Sequence, residues 1–281
     1  MLAAGLSFAV AAMVSYALTP LVWRVAVRTG AIDEPDADRG GRHIHETPTP
    51  RLGGLAIFAG FTVAIAVAAL MARTPGWRHL LELWGGAFVI VMVGVADDYL
   101  ELPAKWKLVG QILAATIFVA LGNAVEWVSN PWARGSVPGM SYLGYWGIPL
   151  TVFWLVGITN TMNLIDGLDG LAAGVGGIAS LTLLLVAWQH GLFYVSIVAA
   201  AVAGAALGFL PYNFYPAHIF MGDSGSMLLG FVLGAVAIQG TLKGATTIAL
   251  AVPLLALGLP ILDTSLAIAR RCIHGRSIFQ A

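Results

Sequence analysis

The stretch LLELWGGAFVIVMVGVADD, residues 80–98, decides the fold of this chain. Apart from Glu82 it carries no charge until two adjacent carboxylates, Asp97 and Asp98, end the apolar run. Apolar runs approaching about 20 residues, the length that crosses a bilayer as a helix, recur along the sequence. With 59% hydrophobic residues and a mean hydropathy of +0.86, the composition predicts a polytopic helical membrane protein.

Each long apolar run is predicted to be a helix, because the bilayer interior cannot satisfy free backbone groups. The expected fold class is therefore all-α. Nine spans are predicted, at roughly 2–23, 52–72, 80–96, 107–124, 146–163, 168–188, 192–210, 225–240 and 246–269. Since no low-complexity linker or internal repeat interrupts the chain, we expect a single integral membrane domain over residues 1–281.

The basic residues divide unequally between the two sides that these spans define. Four lie on one side (Arg73, Arg78, Arg134 and Lys243) and the other ten lie on the opposite side. The positive-inside rule makes the richer side cytoplasmic. Eleven of the fourteen acidic residues, which played no part in that assignment, also fall at the richer side. A polar active site at the cytoplasmic membrane face is the resulting expectation.

Charge and cysteine content narrow the class of partner. Lys and Arg number 14 against 14 Asp and Glu, so the chain lacks the basic excess of a nucleic-acid-binding surface. The single Cys272 excludes an intramolecular disulfide. Because the net charge is zero, an anionic ligand must be bound by a few local groups beside the lipid bilayer.

The first acidic cluster ends the third predicted span with Asp97, Asp98 and, one turn later, Glu101. Adjacent carboxylates repel each other and need a cation or a shared proton. They are either a functional pair or a solvated helix end that Lys105 and Lys107 neutralise without catalysis.

The second cluster places Asn160, Asn163, Asp166 and Asp169 at intervals of three residues. A helix would align them on roughly one face, whereas Gly167 and Gly170 favour a break that lets backbone approach a ligand. A turn capped by one aspartate is the alternative, but it leaves the other polar groups unexplained.

The third cluster, Phe220-Met-Gly-Asp223-Ser-Gly-Ser, precedes a further apolar run. A helix start presents free N–H groups that suit a phosphate, and Asp223 offers an oxygen ligand. Oxygen ligands without a Cys/His pattern favour Mg²⁺ or Mn²⁺ over zinc, and Mg²⁺ usually bridges carboxylates to phosphates. Arg51, in a basic loop, is either a phosphate contact or a positive-inside anchor.

Together these elements resemble the polyprenyl-phosphate N-acetylhexosamine-1-phosphate transferases, glycosyltransferase family 4. The resemblance covers nearly the whole chain. The matching elements are Pro-Arg-Leu-Gly-Gly at 50–54, Asp97-Asp98 with Lys107 and Gln111, Asn-Leu-Ile-Asp-Gly-Leu-Asp-Gly at 163–170, Phe-Met-Gly-Asp-Ser-Gly-Ser at 220–226, and Gly-Arg-Ser-Ile-Phe at 275–279.

The resemblance implies transfer of a sugar 1-phosphate from a UDP-N-acetylhexosamine to undecaprenyl phosphate, with Mg²⁺ or possible Mn²⁺ as cofactor, at a bacterial plasma membrane. Direct attack of the lipid phosphate is preferred over an aspartyl-phosphate intermediate. The implied catalytic residues are Asp97, with Asp98 supporting it, and Asp166, and the implied metal ligands are Asp223 and Asp166. Asp169 and Phe220 would bind uracil, Asn163 would bind substrate, and Lys107 and Arg276 would meet phosphates. Arg51 is the further candidate for substrate binding, on the basis of its position in the basic loop.

Within the family, the third cluster and the 275–279 ending look like the UDP-GlcNAc branch, which starts teichoic acid, O-antigen or related wall polymers. The alternatives are a phospho-MurNAc-pentapeptide transferase and, in another class, a cation-coupled transporter with acids near mid-span. Since the family continues after Phe279 into a histidine loop and further helices, we expect a chain truncated from ten or eleven spans. A homodimer is a possible assembly.

Overall fold

A computed structural model describes residues 2–33, 48–72, 77–130, 132 and 139–241, together with residues 262, 266, 270 and 271. Helices dominate these ranges, so the predicted all-α class is confirmed. The long helices are α1 (Leu2–Thr29), α2 (Gly54–Ala72), α3 (Trp77–Leu100), α4 (Ala104–Ala120), α5 (Gly147–Ile165), α6 (Leu171–Gln189), α7 (Phe193–Asn213) and α8 (Gly222–Thr241).

Seven of the helices in the described ranges are long and apolar enough to cross a membrane. The remaining one, α4, has 17 residues and corresponds to the fourth predicted span. The eight helices thus correspond to the first eight predicted spans. The ninth predicted span, 246–269, lies largely outside the described residues.

Helices α1 and α3 extend further than their apolar sequences predict. Helix α1 continues to Thr29 and so includes Arg24 and Arg28. Helix α3 continues to Leu100, which places Asp97 and Asp98 inside its last turn rather than after it. The predicted ends followed hydrophobicity, whereas a helical backbone can continue through polar residues beyond the apolar layer.

The two most enclosed spans are α7 and α8, in which 78% and 89% of the apolar window is buried. Helix α7 packs against α1, α2 and α6, while α8 packs chiefly against α3 and α5. Because α8 begins at Gly222 and α3 ends at Leu100, their packing brings Asp223 to the end of α3 that carries Asp97 and Asp98. We call this end of the helices the carboxylate end.

Two small antiparallel pairs accompany the helices. At the carboxylate end, β1 (Ile32–Asp33) pairs with β2 (Thr49–Pro50). At the opposite end, after α4, β3 (Trp127–Ser129) pairs with β4 (Met140–Tyr142). The first pair leads directly into residues 50–54, the Pro-Arg-Leu-Gly-Gly motif.

Candidate active site

One cavity of about 440 Å³ opens at the carboxylate end. The end of α3, the turn between α5 and α6, and the loop between α7 and α8 all contribute to its wall. Its lining includes most of the residues singled out from sequence, namely Arg51, Asp97, Asp98, Asn163, Asp166, Asp169, Phe220 and Asp223. The three acidic clusters, which are far apart in sequence, therefore meet at a single site.

Asp98 connects the end of α3 to the start of α8. Its Oδ1 accepts a hydrogen bond from the backbone N–H of Asp223 at 2.7 Å, and its Oδ2 accepts one from Ser224 at 3.2 Å. Only 3% of Asp98 is exposed. A buried carboxylate is stabilised here by two amides and by the positive end of the α8 dipole.

This arrangement corrects the expectation that the first amides of α8 receive a phosphate. Two of those amides already bind the Asp98 carboxylate. Asp98 therefore caps a helix that lies more than a hundred residues further along the chain. The two adjacent carboxylates have different partners, because Asp97 contacts Lys107 whereas Asp98 accepts hydrogen bonds from the two amides.

Lys107 joins Asp97 to Asp223. Its Nζ lies 2.7 Å from Asp97 Oδ2 and 2.8 Å from Asp223 Oδ2. One ammonium thus offsets two carboxylates from different helices, and all three side chains are largely buried. From the sequence, one interpretation was that lysines simply neutralise the Asp97-Asp98 pair. In the structure Lys107 contacts Asp97, whereas Asp98 accepts hydrogen bonds from backbone amides.

One turn after Lys107 on α4, the side-chain amide of Gln111 pairs with that of Asn160 on α5 and joins the two helices. Gln111 Nε2 donates to Asn160 Oδ1 at 3.2 Å, and Asn160 Nδ2 donates to Gln111 Oε1 at 2.6 Å. Asn163, one turn further along α5, donates to Ser226 Oγ at 3.0 Å. These contacts join α4 and α8 to α5, the arrangement in which Lys107 contacts Asp223 directly.

Asp166 follows the last residue of α5 and is partly exposed to the cavity. Within the described residues its carboxylate has no hydrogen-bond or ion-pair partner. Enclosure by protein, together with the charges of Asp223, Asp98 and Asp169, raises the pKa of Asp166 to about 8. The pKa of this carboxyl is thus raised by its enclosure and by the negative charge that accumulates around it. A cation bound there would offset that charge and would itself be stabilised by the surrounding carboxylates.

The turn after α5 and the loop before α8 hold each other in place. Asp169 Oδ2 accepts a hydrogen bond from Ala217 N at 2.9 Å. Asn213, at the end of α7, accepts one from Gly170 N and donates one to the carbonyl of Ile219. Asp169 therefore has a structural contact in addition to the uracil contact predicted from the resemblance.

Residues 50–54, which we call the strap, run beside the loop that carries Phe220. Phe220 N donates to Pro50 O at 2.8 Å, Gly53 N to Phe220 O at 3.0 Å, and Gly54 N to Met221 O at 2.8 Å. Any side chain at Gly54 would meet the backbone of Gly225. The Pro-Arg-Leu-Gly-Gly motif thus positions the loop through its own backbone.

The Arg51 side chain is engaged with protein carboxylates. Its guanidinium lies 2.9 Å from Glu101 Oε1 and 3.5 Å from Asp33 Oδ1 at the cavity wall. Contact of Arg51 with a substrate phosphate remains a prediction. Arg276, which was also predicted to contact a phosphate, lies outside the described residues.

Sequence reasoning missed three residues that line the cavity: Asp33, Asn213 and Tyr215. A signal existed for Asn213, because a polar amide ends an otherwise apolar span shortly before the Phe220 motif. Asp33 is one of several acids in the first loop, and Tyr215 is one of many aromatic residues near predicted interfaces. Nothing in the sequence distinguished these two.

Close backbone contact between α3 and α8 predicts a sensitive glycine. A Cβ on Gly94 would meet the backbone of Asp223 and Ser224. We expect Gly94→Ala to displace the start of α8, weaken the Asp98 cap and lower both melting temperature and activity. Gly85→Ala in the same helix is the matched control, since its Cβ would enter open space and alanine favours a helix by up to about 1 kcal/mol. Equal effects of the two substitutions on the melting temperature would contradict the close packing.

The chain was compared with known proteins. Residues 80–241 match the model of the family described as glycosyl transferase family 4. The chain is 38% identical, over 97% of its length, to a probable undecaprenyl-phosphate N-acetylglucosaminyl 1-phosphate transferase of Bacillus subtilis, covering 73% of that protein. It is 40% identical, over 96% of its length, to a decaprenyl-phosphate N-acetylglucosaminephosphotransferase of Mycobacterium tuberculosis, covering 71% of it.

A phospho-N-acetylmuramoyl-pentapeptide-transferase of Desulforudis audaxviator is also similar, with 35% identity over 85% of the chain and 75% of that protein. The matched residues 80–241 include Asp97, Asp98, Asp166, Asp169 and Asp223, which line the cavity. The extent of these matches shows that the chain belongs to glycosyl transferase family 4.

Proposed function

We propose that this protein transfers N-acetylglucosamine 1-phosphate from UDP-GlcNAc to undecaprenyl phosphate at the cytoplasmic face of a bacterial plasma membrane. The products are polyprenyl diphosphate-GlcNAc and UMP. The observation that carries the proposal is the Asp97–Lys107–Asp223 bridge, whose two carboxylates line a cavity at the ends of membrane-spanning helices. The names of the relatives at 38% and 40% identity support the choice of sugar.

The charge of the cavity suits a phosphate substrate only if cations are added. Six aspartates line it, including Asp33, whereas Arg51 and Lys107 already contact carboxylates. A nucleotide diphosphate and a lipid phosphate would add further negative charge. Binding therefore requires a bound cation, and an oxygen-rich wall favours Mg²⁺ or Mn²⁺.

The residues present fit Mg²⁺ held jointly by protein and substrate. Asp223 and the unpartnered Asp166 offer carboxylate oxygens, and no group of three His, Cys, Asp or Glu side chains in the described residues forms a complete metal site. Mg²⁺ commonly takes one or two carboxylates together with substrate phosphates and water. When bound, it would offset charge on the diphosphate as UMP leaves.

Asp97 is suited to position the lipid phosphate. Its Oδ1 accepts a hydrogen bond from Leu102 N at 2.8 Å, and its Oδ2 contacts Lys107. In the proposed reaction, a lipid phosphate oxygen bonds to the β-phosphorus of UDP-GlcNAc, and the bond from that phosphorus to the oxygen of UMP breaks. Asp97 would accept a proton from the lipid phosphate or orient it, and Lys107 would meet the phosphates.

The nucleotide would lie between the α5–α6 turn and the loop before α8. Phe220 is partly exposed and lines the cavity, and the strap fixes its backbone. Asp169 is on the facing turn. Stacking on Phe220 and hydrogen bonding to Asp169 would hold the uracil, with Asn163 close to Asp223 on the phosphate side.

Mg²⁺ affinity is expected to increase as the pH rises to about 8 and then to level off. Below this pKa the Asp166 carboxyl is mostly protonated, so a metal that binds it must displace a proton. Displacing one proton weakens apparent affinity by at most about tenfold for each pH unit below the pKa. Calorimetric titration of Mg²⁺ between about pH 6 and 9 measures this slope. An affinity independent of pH in that range, or the same slope in Asp166→Asn, would remove Asp166 from the metal site.

A comparison of two sugar-nucleotide donors under the same conditions tests the choice of sugar. The full-length protein in detergent, supplied with undecaprenyl phosphate and Mg²⁺, should use UDP-GlcNAc with a kcat/KM at least about tenfold above that for UDP-MurNAc-pentapeptide. The reverse preference would assign it to the muramoyl-pentapeptide reaction. Failure of both donors would contradict the transferase proposal.

A further inference from the structure

The residue that follows α3 has an unusual backbone conformation. Glu101 has a φ of 47°, and it is the only non-glycine residue with positive φ in the described part of the chain. L-residues with a long side chain disfavour this left-handed region, which glycine and asparagine adopt more easily. Such a conformation persists only where the surrounding contacts hold it, and it often occurs at functional sites.

The reversal at Glu101 places one amide on Asp97. Glu101 N still donates to Asp97 O at 2.9 Å and completes the helix. The chain then turns, so that Leu102 N donates at 2.8 Å to the Asp97 side chain instead of continuing the helical ladder. Since Lys107 takes the other oxygen at 2.7 Å, both oxygens of Asp97 have fixed partners.

The side chain of Glu101 reaches the strap. Its Oε1 accepts a hydrogen bond from the Arg51 guanidinium at 2.9 Å. The Arg51 backbone is held in turn by Ala31 and lies beside Phe220. Glu101 is largely exposed, so the ion pair alone contributes modestly, but it favours the one turn that directs Leu102 N at Asp97.

We propose that Glu101 is a positioning residue for Asp97. Its left-handed turn aims the Leu102 amide at the carboxylate, and its ion pair with Arg51 joins that turn to the strap beside Phe220. The lipid-phosphate side of the cavity is thereby fixed relative to the nucleotide side. This inference rests on the proposed transferase function for its kinetic consequence, but not for its structural one.

Two substitutions of Glu101 distinguish the effect of its backbone conformation from the effect of its charge. Glu101→Gly removes the charge but adopts positive φ freely, whereas Glu101→Val removes the charge and strongly disfavours positive φ. We expect kcat to fall about tenfold in Glu101→Val and no more than about threefold in Glu101→Gly. The KM for UDP-GlcNAc should stay within about twofold in both, because Asp97 faces the lipid phosphate. Glu126→Val, at an exposed acid near the opposite end of the helices, is the matched control.

Amide hydrogen exchange tests the same inference without substrate. The peptide containing Leu102 should be as protected in Glu101→Gly as in the unmodified protein, and should exchange at least about tenfold faster in Glu101→Val. Equal exchange at Leu102 in the two variants, or a glycine variant as impaired as the valine variant, would overturn the positioning role. Failure to form any lipid-linked sugar in the unmodified protein would instead count against the proposed function, leaving the exchange result to decide the role of Glu101.

Discussion

Asp223→Asn is expected to reduce kcat by about 10³-fold, equivalent to about 4 kcal/mol of transition-state stabilisation. The substitution keeps the size of the side chain but removes a carboxylate that contacts Lys107 at 2.8 Å and shares the cavity with Asp166. A neutral amide would bind Mg²⁺ more weakly and would no longer orient the ammonium. Turnover measured across a Mg²⁺ titration should show both a lower maximum and a higher Mg²⁺ requirement.

The fold should survive this substitution, because Asp98 binds the backbone amide of residue 223 and not its side chain. The melting temperature therefore serves as an internal check on folding. Glu126→Gln, the same carboxylate-to-amide change at an exposed position, should retain full activity. Activity of Asp223→Asn within tenfold of the unmodified protein, at an unchanged Mg²⁺ requirement, would exclude Asp223 as a metal ligand.

Lys107→Met is expected to lower kcat by about 10²-fold, near the effect of removing one charged donor from a preorganised site. Methionine preserves much of the length of the side chain, but it leaves Asp97 and Asp223 facing each other without the ammonium that contacts both. Repulsion between them should also lower the melting temperature. Added Mg²⁺ should recover part of that stability, since a divalent cation can offset the same two charges.

Lys105→Met provides the control, because Lys105 is an exposed residue two positions earlier on the same helix. It should match the unmodified protein in kcat and melting temperature. If the two lysine substitutions give the same kinetic result, the bridge seen in the structure has no part in turnover.

The helical architecture could be predicted from hydrophobicity alone, for a physical reason. In a bilayer each apolar run must satisfy its own backbone, so its secondary structure depends on local sequence. The exact ends of the helices were harder to predict from the sequence. Asp97 and Asp98 lie within α3 because its hydrogen bonding continues to Glu101, where an unusual φ ends it. Nothing in the residue type of Glu101 announces a left-handed conformation.

The location of the site was also predictable, whereas its internal contacts were not. Sequence placed Asp97, Asp166 and Asp223 at one membrane face, and all three line one cavity. The use of Asp98 as a cap depends on packing between α3 and α8, whose contacting residues are separated by 125 positions. Hydrophobic patterns specify which residues face other helices, but not which distant amide a carboxylate meets.

The pairing of Arg51 shows the same limit. Its position in a basic loop suggested either a phosphate contact or a membrane anchor, but its guanidinium contacts Glu101 and Asp33. Asp33 and Glu101 belong to segments far apart in sequence, and both contact Arg51 in the strap. The structure thus adds a third explanation, alignment of two parts of the cavity, which sequence alone did not offer.

In the proposed reaction a sugar 1-phosphate, and not a sugar alone, moves to the lipid. The most direct measurement supplies the full-length protein with undecaprenyl phosphate, Mg²⁺ and UDP-GlcNAc carrying ³²P at the β-phosphorus, and then separates lipid from water. We predict that the label enters the lipid while unlabelled UMP appears in the water phase. Release of labelled UDP, with GlcNAc but no ³²P in the lipid, would contradict transfer of a sugar 1-phosphate.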